Sequence, residues 1–219
     1  MKIIVKAKDT GSLTPRHVRN YIGAIVDEEY KDICSWHKHS VPELIYPKPY
    51  SSGFEIISVK NNLPVLAHIA KKIEENRKFY GRDIEEVWSK DEQFGFPRRG
   101  IAAYQTRTPI VIGSNKVEYG IAVACAKKGR TDDLKRYIGR RIKSDVEYYV
   151  RAYFGINISI PDLSLNITEL KQLFLNYKEG VRLPMAAMSF TSNYSLPRFV
   201  GYKIGLGWGE LIERSIVEV

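Results

Sequence analysis

From Lys2 to Lys8 apolar and polar residues alternate, the period-two pattern of a half-buried strand. Thr14 followed by Pro15 marks a helix start, an N-cap with proline at the first helical position. Val18, Tyr21, Ile22, Ile25 and Val26 then recur at helical spacing, so one face of this helix is predicted to be core. From Lys31 to Ser52 the periodicity stops and Pro42, Pro47 and Pro49 intervene, which predicts a long shaped connection of the kind that carries function. Phe54 to Val59 reads as a strand and Pro64 to Phe79 as a helix with Leu66, Ile69, Ala70 and Ile73 inward. Ile84 to Trp88 and Ile101 to Ile112 are strand-like. The second half repeats the theme. Val117 to Ala126 is expected as a strand, and a helix runs from Asp132 to about Tyr153 with Leu134, Tyr137, Ile138, Ile142, Val146, Val150 and Tyr153 as its stripe. A strand at Ile156 to Ile160, a short helix at Thr168 to Tyr177, and strands at Pro184 to Tyr194 and Glu210 to Glu218 complete the series.

This order of elements, run through twice, fits the βαββαβ unit. The expected fold is α+β, two tandem ferredoxin-like (RRM-like) domains over residues 1–106 and 107–219. Each is expected to hold a four-stranded antiparallel sheet backed by helices on one face. A chain of 219 residues can bury one large core or two small ones.

Composition narrows the function. The longest apolar run, Gly120 to Ala126, has seven residues, well short of the ~20 that cross a bilayer. The N-terminus lacks the apolar core of a secretory signal, and Cys34 and Cys125 offer neither a disulfide framework nor a zinc set. A cytoplasmic location and no membrane partner are expected. The net charge of +9 favours polyanions, because each neutralised phosphate releases condensed counterions. Charge alone does not separate RNA, DNA and an anionic membrane.

Three stretches could carry chemistry. In the run Leu196 to Glu210, Gly201, Gly205, Gly207 and Gly209 stand beside Arg198 and Lys203. Glycines allow close backbone approach, and clustered N–H groups can hold a phosphate; the alternative is a tight turn entering the last strand. The spacing matches neither a Walker A loop nor a dinucleotide fingerprint. In Trp36-His37-Lys38-His39, residues two apart share a face of an extended chain, so both imidazoles could reach one phosphate, with Lys48 nearby. Histidine moves protons near neutral pH and lysine steadies a phosphorane charge. A metal site or two idle surface histidines are the alternatives. Third, seven Lys or Arg against two acids fall between residues 127 and 141. Among these and their neighbours, Arg136, Arg140, Arg141 and Lys143 are expected off the apolar stripe, forming either a phosphate-tracking surface or an ordinary solvated face.

The chain resembles a known family, the CRISPR-associated endoribonucleases of the RAMP superfamily that process precursor CRISPR RNA. The run from Phe190 to Glu210 (FTSNYSLPRFVGYKIGLGWGE) resembles that family's C-terminal glycine-rich signature. Pro42 to Tyr46 is similar to the segment that follows its catalytic histidine. The resemblance implies metal-independent cleavage of CRISPR repeat RNA by 2′-OH attack, leaving a 2′,3′-cyclic phosphate and a 5′-OH, with no cofactor. It implies His37 as general acid or base, His39 as a second candidate, and Lys38 or Lys48 assisting the phosphate. Where many relatives carry a tyrosine late in the first helix, this chain has Val26-Asp27; Tyr21 lies a turn before and stands as the candidate. The glycine-rich run would touch the RNA backbone. A non-catalytic CRISPR-RNA-binding subunit of the same superfamily is the alternative, and a homodimer or a CRISPR effector complex are candidate assemblies.

Overall fold

A computed structural model describes residues 1–34, 43–59, 62–91, 97–113, 115–157, 159–160 and 162–217. The chain forms two compact units, Met1–Glu92 with Ala152–Phe154 and Gly205–Gly207, and Gln93–Arg151 with Gly155–Ile204 and Trp208–Val219. The expected mixed α+β fold with two antiparallel sheets is what the chain adopts.

In the first unit β1 (Lys2–Ala7) lies between β3 (Gly53–Ser58) and β5 (Arg82–Lys90), with β2 (Leu44–Ile45) and β4 (Lys78–Phe79) outermost. Alternation on β1 sends Ile3, Val5 and Ala7 into one core with Phe54 and Ile56 of β3. Helices α1 (Pro15–Ile25) and α3 (Leu63–Glu75) complete that core with Val18, Ile22, Leu66, Ile69 and Ile73. At the start of α1 the Thr14 N–H donates to Nδ1 of His17 at 3.0 Å, satisfying one of the orphan donors of a helix terminus. A short helix, α2 (Glu28–Cys34), occupies the start of the stretch in which no periodicity was expected.

The second sheet runs β10 (Leu211–Val217), β6 (Pro97–Thr106), β9 (Val181–Tyr194), β7 (Ile110–Val111), and β8 (Leu165–Lys178) pairs with β9. Helix α5 (Thr131–Phe154) buries Leu134, Ile138, Ile142, Val146 and Val150 against Ala102, Tyr104, Ala186, Met188 and Phe190. It ends where Gly155, at φ 70, takes the left-handed conformation that closes many helices.

Several expectations are corrected. Val117 to Ala126 lies in a helix, α4 (Lys116–Lys127), whose first turn is capped by the Asn115 side chain accepting from Glu118 N–H at 3.0 Å. A short alanine-rich apolar run does not distinguish buried strand from helix by periodicity, and alanine's helix propensity prevails. Thr168 to Tyr177 is not a helix but part of β8, where pairing with β9 overrides the helical spacing of Leu170, Leu173 and Phe174. A register shift between Ile167 and Glu169 further blurs its alternation. Residues 156, 157, 159 and 160 form no strand, and α3 stops at Glu75, leaving Phe79 to β4. Among the described residues each sheet has five strands rather than four, since two-residue strands such as β4 and β7 carry no readable period. Strand β6, expected in a first domain ending at residue 106, pairs with β9 and β10 in the second sheet. Among the described residues no helix is long and apolar enough to cross a membrane.

Candidate nucleic-acid interface

The outer side of α5 and the entry to β8 enclose a groove of about 740 Å³. Lys135, Arg136, Arg140 and Lys143 line one wall, with Gly139 between them and Asp132 beside them; Leu163, Leu165, Asn166 and Ile167 form the other. Arg136, Arg140 and Lys143 follow at spacings of four and three, with Lys135 beside the first, because the apolar stripe occupies other positions, so they stack along one side of the helix. Successive turns place them about 5–6 Å apart, a step comparable to that between phosphates along a strand. Arg136 and Arg130 both pair with Asp133, and this pair of guanidinium groups holds its carboxyl below the usual carboxylate range. The opposite wall is largely aliphatic, with Asn166 as its polar member.

Arg141 departs from the expectation. Instead of facing solvent it pairs with Asp145 at 2.7 Å and lies 3.7 Å from the centre of the Tyr202 ring. Asp145 is buried and also accepts the Gly201 N–H at 2.6 Å. Desolvation pushes its carboxyl up, against the opposing pull of Arg141. Tyr202 in turn donates to Glu118 Oε1 at 2.7 Å. A polar chain thus ties α4 and α5 to the glycine-rich run.

That run is built mainly for packing. Arg198 donates at 3.0 and 2.7 Å to Glu210 Oε1, a carboxylate only 4% exposed. Gly201 has φ +91, and a Cβ there would lie 2.5 Å from Ile110; at Gly209, φ +76, it would strike the Val200 carbonyl at 1.9 Å. The Gly209 N–H donates to the Pro109 carbonyl. The N–H groups of Gly201 and Gly209 are therefore engaged inside the fold rather than gathered for a phosphate. Gly207, φ +80, comes within 3.0 Å of Pro15 Cγ by the same measure, within the first unit. Gly205 belongs to the one-turn helix Ile204–Leu206, and Lys203 is a non-glycine residue at φ 61.

Of the catalytic candidates, His37, Lys38 and His39 lie outside the described residues, between α2 and β2. Lys48 is exposed on the connection after β2. Tyr21 sits in the first core, its ring edge-on to Phe54 and Phe79 and its hydroxyl donating to the Asn76 carbonyl at 2.8 Å. Burial raises its pKa to about 12, which describes a core tyrosine and not a group ready to exchange a proton at neutral pH. Sequence reasoning missed the groove's second wall. The alternation of Leu163, Leu165 and Ile167 with Ser164, Asn166 and Thr168 was the available signal.

No family model and no curated protein matches this sequence. Solved structures do. A crystal structure of Cas6b is 18% identical with a TM-score of 0.66, over 98% of this chain and 100% of that one. A RAMP protein binding different RNA substrates is 15% identical with a TM-score of 0.58, over 98% and 100%. A Cas6 product complex is 11% identical with a TM-score of 0.60, over 98% of each chain. At such identities the likeness is one of fold, and the fold is the tandem ferredoxin-like arrangement of these proteins.

Proposed function

We propose that the chain is a metal-independent endoribonuclease that cleaves CRISPR repeat RNA. The observation that carries this reading is the groove of Lys135, Arg136, Arg140 and Lys143 against an aliphatic wall, on a fold common to CRISPR RNA processing endoribonucleases. The groove would hold one sugar-phosphate strand, whose released counterions supply much of the affinity. Cleavage would need a base to take the 2′-OH proton and an acid to protonate the departing 5′-oxygen; the 2′-oxygen forms the new bond to phosphorus as the P–O5′ bond breaks. His37 and His39 are the proposed pair, with Lys38 or Lys48 steadying the phosphorane charge. The products are a 2′,3′-cyclic phosphate and a 5′-OH.

The test is single-turnover cleavage of repeat RNA. Each proton transfer is worth about 10²–10⁴ in rate, so His37→Ala should slow cleavage at least ~10²-fold with RNA affinity within about threefold. His39→Ala should cost less, cleavage should persist in EDTA, and a 2′-deoxy substrate should resist. Cutting of the deoxy RNA, or loss of activity with chelator, would replace this mechanism by metal-dependent hydrolysis. A second reading, a non-catalytic RNA-binding subunit, draws on the likeness to the RAMP protein described as binding different RNA substrates. Tight binding by wild-type protein without any cutting would select it.

A further inference from the structure

The turn joining β4 to β5 is unusual. Phe79 pairs with Arg82, leaving a two-residue loop, Tyr80–Gly81. Both loop residues have positive φ, 50° and 80°, the arrangement of a type I′ turn. Glycine suits that conformation, and asparagine or aspartate usually precedes it; a bulky aromatic there is strained. Such strain persists only where the surroundings over-determine it, and it concentrates at ligand-binding positions.

Arg82 donates from Nε to the Asp9 carbonyl at 2.7 Å and from NH1 to the Tyr80 carbonyl at 3.1 Å. Asp9 is itself at φ 56, so one guanidinium braces two left-handed residues. The His17 ring meets the Tyr80 ring edge-on at 5.2 Å and fixes its tilt. The result is a tyrosine that remains 48% exposed. Its neighbours along the chain are cationic: Arg77 and Lys78 precede it, Arg82 follows, and exposed Arg16 adjoins His17. Acids adjoin the turn as well: Asp9, Asp83, which is 4.0 Å from Lys78 with both side chains largely in solvent, and Glu85, which pairs with Lys6 and Lys8. Positive charge therefore prevails around the ring. The α5 groove, by contrast, has no aromatic side chain in its lining among the described residues.

We propose that the Tyr80–Gly81 turn is a second RNA-binding point, on which Tyr80 stacks one unpaired base while the neighbouring Arg and Lys side chains attract the adjoining phosphates. Unstacked bases are the part of RNA that aromatic side chains recognise. The inference rests on the RNA-binding reading and deepens it, since it requires a substrate with a single-stranded segment.

Tyr80→Gly separates this role from a structural one, because glycine relieves the backbone strain while removing the ring. Binding of labelled oligouridine and of a blunt RNA duplex is compared by fluorescence anisotropy, alongside thermal melting. The expected result is at least about fivefold weaker oligouridine binding, the low end for one stacked base, with duplex affinity and melting temperature maintained. Tyr80→Trp should keep oligouridine affinity. Photocrosslinking of 5-iodouridine RNA should label the peptide containing Tyr80. If wild-type protein binds both RNAs and Tyr80→Gly binds oligouridine equally, the stacking proposal is wrong and the RNA-binding reading stands. A parallel drop in melting temperature and in affinity for both RNAs would make Tyr80 a packing residue. If wild-type protein binds neither RNA, both proposals fall.

Discussion

Arg136 and Arg141 show how little residue type says about role. They are five positions apart on one helix, and both pair with an aspartate. The Asp133 pairs lie at the surface with both arginines exposed, where screening and side-chain entropy leave an ion pair little net effect. Asp145 is buried, so removing Arg141 would leave its carboxylate without the guanidinium that balances its charge. Arg141→Ala should therefore destabilise the protein by about 3 kcal/mol in urea unfolding, while Arg136→Ala should leave the midpoint unchanged. Two further buried groups predict the alkaline limit of the first core. Burial pushes the Cys34 thiol from its ordinary 9.0 up to about 11, and the Tyr21 hydroxyl from 10.0 to about 12. The unfolded chain releases these protons first, so the stability they contribute is complete below pH 9 and is lost progressively toward 11 and 12. Melting temperature should fall over that range, and Tyr21→Phe should flatten the decline above pH 10.

At the scale of the element, α5 combines two faces that answer to different forces. Its apolar stripe supplies Leu134, Ile138, Ile142, Val146 and Val150 to the second core, and its basic side is one wall of the groove. Reversing Arg136, Arg140 and Lys143 to glutamate should weaken RNA binding and make the slope of log K against log salt shallower by roughly 3, about one unit for each phosphate no longer neutralised. Melting temperature should barely move, because none of the three lies on the buried stripe. Unchanged affinity would make this an ordinary solvated face. The amphipathic helices α1 and α5 were legible in the sequence because one side of each meets apolar core and the other meets water. Helix α4 and strand β8 were not. The first is apolar around most of its circumference, and the second packs partly buried leucines against two different clusters, so neither shows a clean period.

At the scale of the whole molecule, the two largest of the buried clusters among the described residues lie one in each unit. Ile69 belongs to the first and Ile138 to the second, and both are fully buried. Each truncated to alanine should cost about 2–5 kcal/mol, the range for large core aliphatics. Hydrogen exchange should report the effect in β1, β3 and α3 for Ile69→Ala, and in α5, β6 and β9 for Ile138→Ala. A variant that left its own core equally protected would contradict this partition.

What the sequence determined by itself was local: the amphipathic helices, the glycine and proline punctuation, and a basic helix face. These follow from periodicity and backbone preference within a few residues. The tertiary structure decided what depends on distant partners. It placed β6 in the second sheet, supplied the groove's aliphatic wall from β8, turned Arg141 inward and engaged Arg198 with Glu210. It also joined Gly201 to Asp145 across 56 positions. A buried hydrogen bond or ion pair holds because water is excluded around both members, and that exclusion exists only once the chain has folded.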